Sequence, residues 1–413
     1  MAAHRVHAVL ATVLWLFAGT CVQAAPEPIV IGQSLPLTGA SFPVANRVQA
    51  GARAYVERVN AAGGIQGRLI ELVTLDDGGD PKRLAANLRM LVRQRSAVAI
   101  VNCLGEQACL AAAESTRELR VPLVGPISGV LALRSREVRH VFSLRPDDAK
   151  EAAALVRQLQ SIGITSAALL ADDSAPARTE ALAAALQRAG VHTTRISTGE
   201  RLASMEAAFR SLAKAAPQAL VLNLGPVALE SLDRLPAAAH EGVPLLVATL
   251  STAGLTQLTR LFRERMIGYT SVVPNPELAR LPLVRELQRD ADEFIGPEAL
   301  TFEGLESYLH LRLCAEALRH TGAHVDGPRL AEAIEKLGPV NATGGHAPQP
   351  MRPQGKAHAR PCAQAHNERA TPPCGLIGCG PSGDLMRKPP SALQMLAVAS
   401  ATAVLCASMA AFS

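Results

Sequence analysis

Short β-branched or apolar runs alternate with amphipathic helical stretches along most of this chain, and the alternation runs twice. "PIVIGQSL" (28–35) reads as a strand, and "VANRVQAGARAYVERVNAAGG" (44–64) as a helix closed by Gly63 and Gly64. "RLIELVTLDD", "AVAIVNC" and "VPLVGP" are further strands, with helices between them over Pro81–Arg93 and "EQACLAAAESTREL". After "HVFSLRPDD" the pattern restarts, with helices over 149–161, 177–189 and 203–215. The strands of this second run are "SAALLADD", "VHTTRIS", "QALVLNLG" and "VPLLVATL". A helix between successive strands is the connection that parallel pairing needs, so each run predicts a parallel sheet covered by helices on both faces. The expected fold is α/β, with two doubly wound parallel-sheet lobes. A length of 413 residues, too great for one ordinary core, agrees.

Three kinds of function lose support early. The net charge of +5 is small for this length, and Lys and Arg are scattered among Asp and Glu rather than gathered in a stripe, which argues against nucleic-acid binding. No predicted strand leads into a G-x-G-x-x-G phosphate cradle, and neither a P-loop nor an H-E-x-x-H, G-x-S-x-G or paired C-x-x-C motif occurs. No enzyme activity, cofactor or metal is therefore expected.

The stretch "LDDGGDPKRLAANLRML" (75–91) admits two readings. Asp76 and Asp77 end a strand on the side where such sheets bind ligands, and paired carboxylates can divide acid and base roles. Alternatively the segment is a loop, with Asp80 capping the next helix and Pro81 in its first turn.

The ends of the chain stand outside the βα pattern. A basic start, the apolar "AVLATVLWLFAG" and the small-residue "CVQAA" predict a signal peptide over 1–25, which is too short to span a bilayer. The mature protein is then expected in the periplasm; a lipid anchor on Cys21 is opposed by the Thr20 before it. Residues 341–385 are rich in Pro, Gly, His and Cys without periodicity, which predicts disorder, and their Cys and His spacing fits no metal rule. Residues 386–413 read as a second signal-like segment, from a coding frame shifted near residue 340, or as a membrane anchor. In an exported protein Cys103 and Cys109 either form a bridge or pack as two small buried residues, and spacing does not decide. Cys314 lies in an apolar helix and is expected in the core.

"IGQSLPLTG", followed by "AGARAYVERVNAAGGIQGRLIELVTLDDGGDPKRLAANLRML", resembles the solute-binding proteins of ABC importers in the branched-chain amino-acid (leucine/isoleucine/valine-binding) family. "VPLVGPISGVLALR", "HVFSLRPDDAKEAAALV", "VVPNPE" and "LTFEGLESYLHLRLCAEALRHTG" continue the resemblance over residues 27–340. It implies two lobes joined by a three-crossover hinge and closing on a small solute, with 26–145 plus 280–340 in the first lobe and 146–279 in the second. It implies an amino-acid-like ligand, and a separate membrane permease and ATPase as partners; a ligand-sensing domain without transport is the alternative. "DD…DP" becomes a structural loop beside the cleft.

For the site, the resemblance points to Gly105, Glu106 and Gln107 after the third strand, to Ser128 and Gly129 in the next loop, and to Asp148 at the crossover; Phe42 and Val44 in the first loop are candidates for an apolar wall. Each has a plainer reading. Glu106 is a helix-start carboxylate favoured by the dipole, Ser128 a cap, Asp147 or Asp148 an N-cap, and Phe42 a surface aromatic. Arg145 is either a pocket residue or a hinge salt-bridge partner. Aromatics usual in the family are replaced at Ala175 and Pro176, near Gly225 and near Leu300, which implies a wider pocket.

Overall fold

Ten short strands form two five-stranded sheets in the computed structural model, which describes residues 26–337 except 241, 251–254, 263, 264 and 323. The expected signal peptide over 1–25 and the segments 341–385 and 386–413 lie outside the described residues. The first sheet holds β1 (Ile29–Leu35), β2 (Ile70–Asp76), β3 (Ala99–Val101), β4 (Leu123–Val124) and β5 (Val141–Phe142), in the order β2-β1-β3-β4-β5. The second holds β6 (Ser166–Ala171), β7 (His192–Ser197), β8 (Ala219–Asn223), β9 (Leu246–Thr249) and β10 (Met266–Tyr269), in the order β10-β9-β8-β6-β7. Every strand pairing is parallel; β1 and β2, for example, run in register from Ile29↔Ile70 to Leu35↔Asp76. Both orders reverse once, between β1 and β3 and between β6 and β8, and such switch points open a crevice at the strands' carboxyl ends.

The edge strands β5 and β10 are not among the strands expected from sequence. They are two and four residues long, too short to show a period. The remaining strands and their crossover helices fall within three residues of their expected places.

Each sheet is buried on both faces, as parallel sheets require. On one face of the first sheet Leu84, Leu88, Leu91, Cys109 and Ala112 pack from helices Pro81–Arg95 and Glu106–Leu119. On the other, helix Phe42–Ala61 packs with helix Phe302–Arg319, which returns from the far end of the described chain. These two helices touch backbone to backbone at Gly51 and Gly304: a Cβ on Gly51 would stand 2.0 Å from the Gly304 carbonyl oxygen. Tyr55 and Tyr308 meet edge to face at 4.9 Å beside that contact. The second sheet carries its own two clusters, one around Phe209, Leu232 and Val247 and the other around Leu155, Leu169 and Leu186.

The chain leaves the first lobe after Phe142 and returns after Tyr269. Val273 is buried in the first lobe's core and Val272 packs against it. The return therefore lies earlier than the expected boundary at 279, because these two valines bury immediately after the crossing. The third expected crossover lies outside the described residues. Cys103 and Cys109 are joined in a disulfide with Cα atoms 5.3 Å apart, which settles the pair left open by spacing, and Cys314 is a buried free thiol. Among the described residues no helix is long and apolar enough to cross a membrane.

Candidate functional site

The carboxyl ends of β3, β6 and β8 face one another across the gap between lobes. The gap encloses a cleft of about 180 Å³ lined from both sides, room for a small solute where one water needs roughly 10–15 Å³. The first lobe contributes Ser41, Leu104, Gly105, Glu106 and Ser128; the second contributes Ser174, Ala175, Arg178, Asn223 and Gly225. Arg145 and Asp148 enter from the outgoing crossover, Ser271 and Val272 from the returning one, and Phe302 and Glu306 from helix Phe302–Arg319.

Of the residues expected at a site, Gly105, Glu106, Ser128 and Asp148 line the cleft and three do not. Gln107 is exposed, one step along its helix from Glu106 and so turned about 100° away. Gly129 is buried behind the wall, where a Cβ would meet Asp148 Oδ1 at 2.1 Å, so glycine is what lets Asp148 seat there. Phe42 is 46% exposed at the start of its helix, and its neighbours Ser41 and Val44 face the cleft instead. The aromatic absent near Leu300 is supplied two residues later by Phe302, which stacks edge to face on Tyr269 at 5.9 Å.

The Asp-Asp stretch is a loop and not a site. Asp76 accepts from the Leu37 and Gly78 amides and the Thr38 hydroxyl, each at 2.8 Å. Asp77 accepts from Ser34 and from the Gly79 amide at 2.9 Å, and Asp80 caps its helix through the Lys82 amide. Neither Asp76 nor Asp77 lines the cleft. At the crossover Asp147 is the N-cap, accepting from the Lys150 amide at 2.8 Å, while Asp148 meets Arg178 Nε at 3.1 Å.

Two arginines hold the hinge. Arg145 donates through Nε and Nη2 to the two carboxylate oxygens of Glu306 at 2.9 Å each, and both side chains are 5% exposed. Burial alone would lower the Arg145 pKa, but Glu306 outweighs it and holds it above the ordinary value. Burial likewise pushes the Glu306 carboxyl up, and the Arg145 guanidinium overcomes this and holds it below its usual range. Arg134 donates to the carbonyls of Val130, Ser128, Arg145 and Pro146 at 2.8–3.3 Å, clamping the Ser128 loop onto the crossover backbone. Sequence reasoning missed Arg134, which binds only backbone carbonyls of the next turns and the crossover, and Arg178, Asn223 and Phe302, whose roles rest on partners distant in the chain; the only local signal was the "TFEG" aromatic.

Behind Glu306 runs a buried polar chain. Gln33 donates to Thr74, Asn102 donates to Gln33 and Ser307, and the His310 ring meets Asn102 Oδ1 at 2.8 Å. Burial lowers the His310 pKa to about 4, Glu306 opposing and Arg145 adding, so the ring is neutral near pH 7. The chain ties the end of β3 to helix Phe302–Arg319. Burial also pushes the Glu106 carboxyl up, the Ala177 amide and Arg178 opposing and Asp148 adding.

Comparison with known proteins agrees with this geometry. The family model described as periplasmic binding protein matches residues 28–364, running past Val340, where composition alone ends the likeness. An "Amino acid binding protein" of Pseudomonas aeruginosa is 36% identical over 116 residues, covering 28% of this chain and 31% of that one. The "Leu/Ile/Val-binding protein homolog 3" of Brucella melitensis is 27% identical over 184 residues, 43% of this chain and 50% of that protein. The chain thus spans about a third to a half of the curated relatives it matches. A crystal structure of a possible leucine/isoleucine/valine-binding protein from Rhodopirellula baltica is 25% identical and superposes with a TM-score of 0.67, covering 78% of this chain and 89% of the other. With its two parallel-sheet lobes and the cleft between them, this chain belongs to the periplasmic binding protein family.

Proposed function

We propose that the chain is an exported solute-binding protein that captures an amino acid or a related small carboxylate or amide in its interlobe cleft for an ABC importer. The observation that carries this reading is the cleft itself, where buried polar groups from both lobes converge on a volume of solute size at two switch points. The printed descriptions of the Pseudomonas and Brucella relatives, an amino acid binder and a Leu/Ile/Val-binding homologue, support the ligand class. Two crossings that bend without breaking either sheet suit hinge closure of rigid lobes. Translocation belongs to a separate permease and ATPase, the expected membrane partners.

The test is calorimetric titration of the full chain with the twenty amino acids and their amides and small carboxylates. A saturating one-to-one binder is expected, and silence across the panel would defeat the reading. Ser128 is 2% exposed in the cleft, with only a long 3.4 Å contact from the Val130 amide as a cap. Ser128→Ala should weaken that binder by about 1–2 kcal/mol. Unchanged affinity with the fold intact would make Ser128 a cap and nothing more.

A further inference from the structure

The helix starts around this cleft would ordinarily attract an anion, since their unpaired amides and dipoles favour negative charge. Three of them already hold an acceptor of their own. Asp147 takes the Lys150 amide at the start of helix Asp148–Ser161. Asp172 Oδ2 takes the Gly225 amide at 2.9 Å, at the start of helix Pro226–Asp233. Thr301 takes the Gly304 amide at the start of helix Phe302–Arg319. Glu106 opens helix Glu106–Leu119 from the first lobe, and the Ala177 amide of the second lobe's helix Pro176–Arg188 acts on its carboxylate from across the cleft.

The charges in the cleft lean the same way. Four carboxylates line it, Glu106, Asp148, Glu303 and Glu306, against two guanidiniums, Arg145 and Arg178. Arg145 is committed to Glu306 by two hydrogen bonds, and Arg178 meets Asp148. Glu303 lies 4.0 Å from Arg47. Glu106 is 8% exposed, and its Oε2 is buried with no hydrogen-bond partner. A buried carboxylate oxygen left unsatisfied costs free energy that a donor from a ligand would recover. The disulfide between Cys103 and Cys109 closes the short loop that carries Gly105 and Glu106, so the backbone that presents this carboxylate is constrained.

We infer that Glu106 is the residue that selects the ligand, and that it selects a protonated nitrogen: the solute is anchored by an ammonium or guanidinium group donating to Glu106 Oε2, and a carboxylate on the solute is dispensable. This rests on the solute-capture reading and narrows it. An amine without a carboxylate then belongs among the ligands, and a simple carboxylate does not. The attraction comes from charge and a hydrogen bond, and a charge-assisted bond is about twice as strong as a neutral one.

Two matched sets of probes test this by calorimetry at pH 7: leucine, 3-methylbutylamine and 4-methylpentanoate, and arginine, agmatine and 5-guanidinopentanoate. The expected result is that at least one probe with a protonated nitrogen binds, that its carboxylate-free partner binds within tenfold of it, and that 4-methylpentanoate does not bind. Glu106→Gln should weaken the binding amine at least tenfold while leaving the ligand-free melting temperature unchanged. If 4-methylpentanoate binds within tenfold of leucine, or if Glu106→Gln leaves amine affinity unchanged, the inference is overturned while solute capture stands. If none of the six binds, the inference is also overturned, and solute capture falls only if the wider panel is silent too.

Discussion

The two walls of the cleft are built by opposite means. The first lobe's wall is stapled. A disulfide closes the 103–109 loop, Arg134 clamps the Ser128 loop to the crossover, and the chain from Gln33 through Asn102 to His310 fills the space behind. Much of the second lobe's wall is small: Ser174, Ala175, Gly225 and Pro226, held by single hydrogen bonds such as Ser174 to Asp172 and Asn223 to Thr179. The difference separates two tasks. A rigid wall fixes the orientation of polar groups, which lowers the ordering cost of binding, whereas a wall of small side chains sets how much room a solute has. Changes in the first wall should therefore cost stability and binding together, and changes in the second should alter mainly size preference.

The largest effect should come from the hinge pair. Removing Glu306 takes from the buried Arg145 its two-pronged carboxylate, and breaking such a buried pair costs about 3–5 kcal/mol where each side chain is exposed by only 5%. Glu306→Ala should bring urea unfolding of the first lobe well below that of the second. A single unchanged transition would mean that water enters to solvate Arg145 and that the first wall is softer than argued.

Acid should separate the lobes next. His310 titrates at about 4 in the folded chain against 6.5 for a free histidine, so the unfolded state binds its proton first. Its contribution is intact above pH 6.5 and is lost as pH falls from there toward 4. The loss amounts to about 2 kcal/mol between pH 7 and pH 5. A His310→Gln variant should flatten that part of the pH dependence. An unchanged slope would place the acid sensitivity elsewhere.

The same contrast governs what sequence could reveal. The strands other than β5 and β10, the crossover helices and the Asp80 cap rest on periods and spacings within a few residues, and these were legible. Ser128 and Asp148 were legible as cleft residues through the family resemblance, which points to the loop after the fourth strand and to the crossover. Whether Asp147 or Asp148 would cap was not, since either can reach the helix amides. Gln107 and Phe42 were misplaced because a helix start turns about 100° per residue, and one step decides between cleft and solvent. Arg178 and Phe302 gain their roles only from partners on other elements, Asp148 and Tyr269. The first wall, tied by contacts distant in the chain, was thus read in its parts and not in its connections.

Breaking the staple is the third test. The disulfide closes a loop of six-residue separation, for which chain entropy gives roughly 2 kcal/mol. The double variant Cys103→Ser, Cys109→Ser should lower the first lobe's stability by about that amount and weaken ligand binding through the freed Glu106 loop. If stability falls while affinity holds, the helix start alone positions Glu106 and the staple serves the fold only.

The smallest effect gives the comparison its control. Arg195 and Glu180 form a two-pronged pair in the second lobe, at 2.7 and 3.2 Å, with nearly the hydrogen-bond geometry of Arg145 and Glu306. These side chains are 56% and 68% exposed. In water the desolvation that makes a broken pair costly is absent, salt screens the attraction, and two long side chains lose rotamer freedom to hold one geometry. Glu180→Ala should therefore shift second-lobe stability by no more than about 0.5 kcal/mol, and added salt should erase the shift. The two variants remove the same charge from similar geometries and differ mainly in burial. A loss at Glu180 rivalling that at Glu306 would show that geometry governs the energy of these pairs, and the contrast between a stapled and an open wall would lose its physical basis.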